Sequence, residues 1–229
     1  KLSKNNFNTS ILIRSIKEKS SEFWSLKEEK DSGFWSLEQK RRSLSLFQKV
    51  AKHVPAYRIF LKKHNVNPEK ITTWQDFKEV PTVDKKNYLK EYPPESLYWD
   101  GNLKKPLVFT STSGSTGNPF YFPRGNDLDW QYSLLIEEFL KNSLKKSNDA
   151  TLVIICFGMG VWIGGLITYK AFEIAAERLN GSISIITPGI NKKEIFNALK
   201  NLATSFKNTI LVGYPPFIKD VIDEASLHR

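Results

Sequence analysis

From about residue 107 onward, short apolar runs alternate with longer stretches of helical periodicity. Leu107-Val108-Phe109-Thr110, Leu152 to Cys156, Ile183 to Ile186 and Thr209 to Val212 predict strands. Asp127 to Lys146 predicts a long helix with Leu128, Tyr132, Leu135, Ile136, Phe139 and Leu140 on its apolar side. Gly165 to Leu179 predicts a second helix, and a third runs from an Asn191 cap to about Leu202. A fourth spans Pro216 to Ala225, its proline suited to a first turn. Strands beginning near 152, 183 and 209 with helices between them are the pattern of βαβ units and a parallel sheet.

The first half reads differently. Leu12, Ile16, Phe23 and Leu26 fall at helical spacing, and so do Leu44, Phe47, Val50, Val54 and Tyr57. Phe-Trp-Ser-Leu occurs at 23–26 and again at 34–37, with Asp31-Ser32-Gly33 between the copies as a candidate break. An apolar stripe packed on the domain is the favoured reading of that pair. Residues 66–106 predict short helices and turns, punctuated by Asn67-Pro68, Pro81, Pro93-Pro94, Asp100-Gly101 and Pro106. Thr73 and Asp76 have the spacing of a helix cap. The predicted organisation is a helical region over 1–105, followed over 106–229 by an α/β part with a doubly wound, largely parallel sheet.

Composition narrows the function classes. The 229 residues are 40% hydrophobic and 25% charged, an ordinary globular balance. A single cysteine, Cys156, excludes an intramolecular disulfide framework and a multi-cysteine zinc site. It lies in an apolar run, where a buried, inert thiol is expected. Three scattered histidines argue against a histidine metal cluster, and no metal-ligand set is assigned. Thr151 to Tyr169 has no charged residue, but its β-favouring start and four glycines predict strand, turn and helix, not a membrane span. With no signal peptide visible, a reducing, cytoplasmic location is expected. The net charge of +10 is uneven: residues 1–105 hold 22 basic and 13 acidic side chains, and residues 106–229 hold 12 and 11. The basic side chains are interspersed with acids, as on a solvated helical surface, and no nucleic-acid partner is expected.

The strongest chemical signal is Thr110-Ser111-Thr112-Ser113-Gly114-Ser115-Thr116-Gly117-Asn118-Pro119, placed between a strand and a long helix. Glycines let backbone amides turn inward to a polyphosphate, and the hydroxyls add donors. No Gly-Lys-Ser/Thr follows, so this is not a Walker A loop. The second signal is Phe157-Gly158-Met159-Gly160-Val161-Trp162-Ile163-Gly164-Gly165, at the carboxyl end of a strand, where α/β folds bind ligands. Its glycines permit close approach and its aromatics offer apolar walls, with packing of Met159 and Trp162 in the core as the plainer alternative.

Ser113-Gly114-Ser115-Thr116-Gly117-x-Pro119 resembles the phosphate loop of the adenylate-forming superfamily. Phe120 stands where many members have lysine, a departure shared with the phenylacetate-CoA ligase-like branch. Val54-Pro55-Ala56-Tyr57 (read as helical), Asn67-Pro68, Val80-Pro81-Thr82-Val83-Asp84-Lys85, Leu89 and Tyr92-Pro93 resemble, in that order, the amino-terminal region of that branch. Asp127-Leu128, the aromatic-glycine segment and the proline turn Gly213-Tyr214-Pro215-Pro216 extend the resemblance over about Leu44 to Arg229.

The resemblance implies the large amino-terminal domain of an acyl-adenylate synthetase fold and an AMP-forming acid–thiol ligase. It implies ATP-phosphate contacts from Ser113, Gly114, Ser115, Thr116 and Gly117. It implies an acyl pocket at Phe157, Gly158, Met159, Trp162, Gly164, Tyr214 and Pro215. ATP, Mg2+ and coenzyme A are the implied cofactors, and a small aryl or acyl carboxylic acid the substrate. The acidic ligand and the lysine that adenylation needs match no position before Arg229. The chain is therefore expected to be the amino-terminal portion of a longer protein, inactive by itself, and a start at Lys1 without Met fits that expectation. A homodimer is compatible with the sequence. The alternatives are a non-catalytic binding domain with a degenerate adenylation fold, or an anion-binding module that uses the basic first half. Asp84 and Lys85 are expected to pair on the surface, and Asp220, Asp223 and Glu224 to form a solvated acidic face.

Overall fold

The computed structural model describes residues 32–104, 107–112, 119–144, 149–179 and 182–225. The chain divides into two compact units, Lys1–Lys104 and Lys105–Arg229.

In the first unit, helix α1 (Ser32–His53) is followed by α2 (Pro55–Lys63). A proline disfavours helical dihedrals in the residue before it, and Val54 is extended at φ −107°, ψ 107°. Val54-Pro55-Ala56-Tyr57, expected on a helix, therefore straddles a junction. Gly33 lies inside α1, so Asp31-Ser32-Gly33 does not break the helix at that glycine. The first Phe-Trp-Ser-Leu copy lies outside the described residues. In the second, Leu37 is exposed, so the expected apolar stripe is incomplete at its end.

Helix α3 (Trp74–Lys78) starts with the reciprocal Thr73/Asp76 cap that the spacing predicts. Asp84, expected to pair with Lys85, instead accepts the amides of Lys86 (2.6 Å) and Asn87 (2.8 Å) at the start of the turn Lys85–Leu89. Orphan amides at a helical start outcompete an exposed ion pair. Phe47, Ala51, Ala56, Phe60, Leu61 and Tyr88 form the core of this unit. The Phe60 and Tyr88 rings meet edge-on at 5.6 Å.

The second unit opens with a hairpin, β1 (Val108–Ser111) and β2 (Tyr121–Arg124), in register Val108 to Arg124 and Ser111 to Tyr121. Next come α4 (Asn126–Ser143), β3 (Thr151–Cys156), α5 (Ile163–Leu179) and β4 (Ile183–Ile186). They are followed by α6 (Lys192–Asn201), β5 (Asn208–Gly213) and α7 (Pro215–Glu224). Strands β3, β4 and β5 form a small parallel sheet in the order β4-β3-β5. The unit is thus mixed α/β. The parallel sheet begins at residue 151, not near 106 as expected, and the strand near 107 belongs to a separate antiparallel pair.

Strand β3 is buried on both faces, and alternate residues serve opposite layers. Val153 and Ile155 pack with Ile136 and Leu140 of α4 and Ala171, Phe172 and Ala175 of α5. Leu152, Ile154 and Cys156 pack with Ile195, Phe196 and Ala198 of α6 and Val221 of α7. The two crossovers from β3 to β4 and from β4 to β5 therefore cover opposite faces, and the chain switches faces beside the carboxyl end of β3. No helix among the described residues is long and apolar enough to cross a membrane.

Helix α4 corrects a second expectation. Leu128, Leu135 and Phe139, placed on its apolar side, are exposed, while Asp129 and Ser133 are buried. The cause is charge pairing. Arg124 Nε lies 2.7 Å from Asp129 Oδ1, and Arg178 of α5 pairs with Glu137 and reaches Ser133 Oγ at 3.3 Å. The acids expected on a solvated face of α7 are exposed there, Glu224 in part, and they are also paired: Lys192 meets Asp220 and Glu224, each at 2.5 Å, and Lys219 meets Asp223.

Candidate functional site

The carboxyl edge of the parallel sheet gathers three turns: 157–162 after β3, 187–191 after β4, and Tyr214 after β5. Cys156 is in register with Gly213, so the first and third leave neighbouring strands side by side. In the first turn the glycines fix the packing. A Cβ on Gly165 would run into the Gly158 carbonyl oxygen and lie 2.6 Å from Met159 Sδ. The start of α5 therefore closes directly onto the turn. Met159 fills the space behind, since a Cβ on Gly189 would meet its Cγ at 3.5 Å. The Trp162 ring folds over Gly158, with Cδ1 2.9 Å from where a Cβ would sit, and Phe157 lies against Gly164.

The predicted acyl-pocket residues are thus divided. Phe157, Gly158, Met159, Trp162 and Gly164 form one packed turn. Tyr214 and Pro215 stand beside it and are exposed, Tyr214 at 64%. With Val161, Trp162 and Ile190 also exposed, the edge is an open apolar shelf. Met159 is turned inward, as in the plainer of the two readings, whereas Trp162 combines contact with Gly158 and an exposed flank.

The predicted phosphate-loop residues Ser113, Gly114, Ser115, Thr116 and Gly117 lie outside the described residues. Their two flanks are described. Thr112 N–H donates to Phe120 O at 3.0 Å, and Phe120 N–H donates to Thr112 Oγ1 at 3.1 Å. Phe120, at the position where the resembling family often has lysine, closes this neck with its backbone and sets its ring 4.7 Å from that of Phe122. On the incoming side, Ser111 N–H donates to Val161 O at 2.8 Å, and Ser111 bridges Trp162 in parallel. The two segments singled out by sequence are therefore joined by a hydrogen bond. Sequence reasoning placed Ser111 and Val161 in its two motifs but missed their pairing, because parallel partners fifty residues apart leave no local signal.

The electrostatics come from the backbone. The α5 amides of Ile163, Gly164 and Gly165 have no acceptor among the described residues, and they carry the positive end of a helix dipole. Asn191 caps α6 by accepting Glu194 N–H at 3.3 Å. Helix α7 begins Pro215-Pro216, so its first two positions have no amide. Cys156 lies just behind the turn, and burial pushes its thiol up to about 11, so it is a packing residue. Among the described residues no group of three or more His, Cys, Asp or Glu side chains converges to hold a metal. A separate open cavity of about 350 Å3 lies on α1 in the first unit, lined by Trp35, Glu38, Gln39, Arg42, Ser43 and Leu46. Its carboxylate is committed: hydrogen bonds from Arg41 and Arg42 hold Glu38 down at about 2.

No protein-family model matches the chain, and no curated protein matches its sequence.

Proposed function

We propose that this chain is the amino-terminal portion of an ATP-dependent, carboxylate-activating ligase with an adenylate-forming fold. The observation that carries this reading is the Ser111–Val161 hydrogen bond, which sets the root of the Ser/Thr/Gly loop beside the apolar shelf. A ligase of this type must hold a polyphosphate and an organic acid within reach of each other. A glycine-rich hydroxyl loop suits the first task, and a shelf flanked by Phe157, Trp162 and Tyr214 suits the second.

The reaction has two steps. A carboxylate oxygen attacks the α-phosphorus of ATP, the bond to the β-phosphate oxygen breaks, and acyl-adenylate and pyrophosphate result. A thiol such as that of coenzyme A then attacks the acyl carbon, releasing AMP and forming a thioester. Ser113 to Gly117 would hold the β- and γ-phosphates and orient the leaving pyrophosphate. The described residues offer no carboxylate cluster for Mg2+, so no metal ligand is assigned to them, and the ion is taken to arrive with ATP. Phe157, Trp162 and Tyr214 would contact the acyl group, with Met159 as backing.

The test is carboxylate-dependent ATP–pyrophosphate exchange by the protein that carries this chain, over a panel of aryl and short-chain acids. Each hydroxyl donating to a charged oxygen contributes about 1.5–3 kcal/mol. Alanine at both Ser115 and Thr116 should therefore lower exchange by about a hundredfold or more. Exchange unchanged in that double variant would sink the loop assignment.

A further inference from the structure

Between Glu38 and Glu69 the chain carries eight lysines and arginines and no acidic residue. This stretch covers most of α1 and all of α2. The acids expected among the basic side chains of the first half are missing here. Helix α2 buries Ala56, Phe60 and Leu61 in the core of its unit, which fixes the face it turns outward. Arg58 and Lys62 are four residues apart on that face, as are Ile59 and Lys63, and all four are exposed. Exposed Lys49 and Lys52 extend the cations onto the end of α1, where Arg58 Nη2 donates to Lys52 O at 3.2 Å. Arg41 and Arg42 share Glu38, but these five later cations form no ion pair among the described residues.

The face is not only cationic. Ile59, between the basic side chains, is 54% exposed. The turn Trp99–Gly101 closes against the start of α2, where a Cβ on Gly101 would meet Pro55 Cγ at 3.1 Å. Trp99 stacks on His53 with ring centroids 4.7 Å apart and is still 41% exposed. Two acids lie at this edge. Asp100 Oδ1 accepts from His53 Nδ1 at 2.7 Å, so it is already engaged, and Glu95, whose carbonyl oxygen also faces Gly101, leaves the cations in excess. A lipid surface offers anionic headgroups for the cations and an apolar layer beneath for an aliphatic and an indole side chain. A nucleic acid matches the charge but has no such layer for Ile59. We propose that the outward face of α2, with Lys52 and Trp99 beside it, docks the protein reversibly on an anionic bilayer surface. The helix touches the surface and does not cross it. The proposal is independent of the ligase reading.

The test is co-sedimentation of the protein that carries this chain with phosphatidylcholine vesicles, with and without about 30% phosphatidylserine. Wild-type protein should bind the anionic vesicles, leave the neutral ones, and be released as salt rises. Lys62→Ala with Lys63→Ala should weaken partitioning about tenfold or more, and Lys62→Arg with Lys63→Arg should keep it. Ile59→Ser, which changes no charge, should weaken it about threefold or more. All of these side chains are exposed, so the urea midpoints should match wild type. Wild-type protein that ignores both kinds of vesicle, or binds them equally, overturns the proposal. So does unchanged partitioning in either the alanine pair or Ile59→Ser. Binding to a DNA duplex that needs Lys62 and Lys63 but not Ile59, with no vesicle binding, overturns it in favour of a nucleic-acid surface.

Discussion

Two adjacent glycines in the first turn of α5 should respond to the same substitution with opposite signs. Alanine for glycine in a helix gains about 0.5–1 kcal/mol from backbone entropy when the new methyl group has room. At Gly164 it has room: the nearest atoms are those of the Phe157 ring, from 3.6 Å outward, an ordinary contact. Gly164→Ala should therefore be neutral or slightly stabilising. At Gly165 the methyl group would collide with the Gly158 carbonyl oxygen, sit 3.0 Å from its carbon, and lie 2.6 Å from Met159 Sδ. Met159 can swing aside, but a carbonyl held in a tight turn cannot.

Overpacking of this kind costs about 1–3 kcal/mol, and backbone obstruction belongs at the upper end. Subtracting the helical gain leaves a net loss of about 2 kcal/mol. For a unit of this size that corresponds to a drop in Tm of about 6–10 °C. The assay is urea denaturation followed by far-ultraviolet circular dichroism, with Gly164→Ala as the matched control. Adding Met159→Ala to Gly165→Ala relieves the sulfur contact but not the carbonyl, so it should not restore wild-type stability. Gly165→Ala as stable as wild type would refute the close closure of α5 on the 157–162 turn. Equal losses at both positions would show that general perturbation of the segment, not the carbonyl, is responsible.

Cys156 should make the folded state sensitive to alkali. Burial raises its thiol from 9.0 to about 11, so the folded chain keeps a proton that the unfolded chain releases. The contribution is complete below pH 9 and fades between pH 9 and 11, by up to about 1.4 kcal/mol per unit. Cys156→Ala should flatten the loss between pH 9 and 10, and parallel curves would contradict the assignment. Burial, with the neighbouring Tyr57 and Tyr92, likewise raises Tyr88 to about 12, so the first unit should begin to weaken only above pH 10. Phe172 is buried at 1% between the sheet and α4, and Phe172→Ala should cost about 3–5 kcal/mol of unfolding free energy. A loss below about 1 kcal/mol would mean that the cavity collapses freely.

The rhythm of β3, α5, β4, α6, β5 and α7 was legible because each element carries its own period and its own ending. Asn191 caps α6, and Thr73 with Asp76 caps α3, as their spacing predicts. Strand β2 was not legible. Tyr121-Phe122-Pro123-Arg124 is four residues long and contains proline, which is tolerated because the strand pairs on one side only, opposite β1. Nor was the buried face of α4, where Ser133 and Glu137 go inward to meet Arg178, more than forty residues away in sequence. A helix read from hydrophobicity alone places Leu128 and Phe139 inward, because the pattern holds no information about a distant guanidinium. For the candidate site, the segments were visible and their connection was not. Ser111 joins Val161 through backbone atoms, and backbone pairing across fifty residues has no side-chain signature.

The chemistry of the shelf follows from what surrounds it. Lys192, beside the start of α6, is held by Asp220 and Glu224, hydrogen bonds that raise its ammonium above the usual range. It is thereby committed to tying α6 to α7. Tyr214 is the one titratable side chain among the described residues of the three turns. The α5 amides at Ile163, Gly164 and Gly165, without acceptors among the described residues, add positive potential at this edge. Such groups suit the proposed reaction: fixed dipoles need no reorganisation as charge moves from carboxylate to phosphate oxygens, and they donate no proton that a carboxylate nucleophile would lose to. In the proposed reaction, groups of this kind would act by binding and orienting anions.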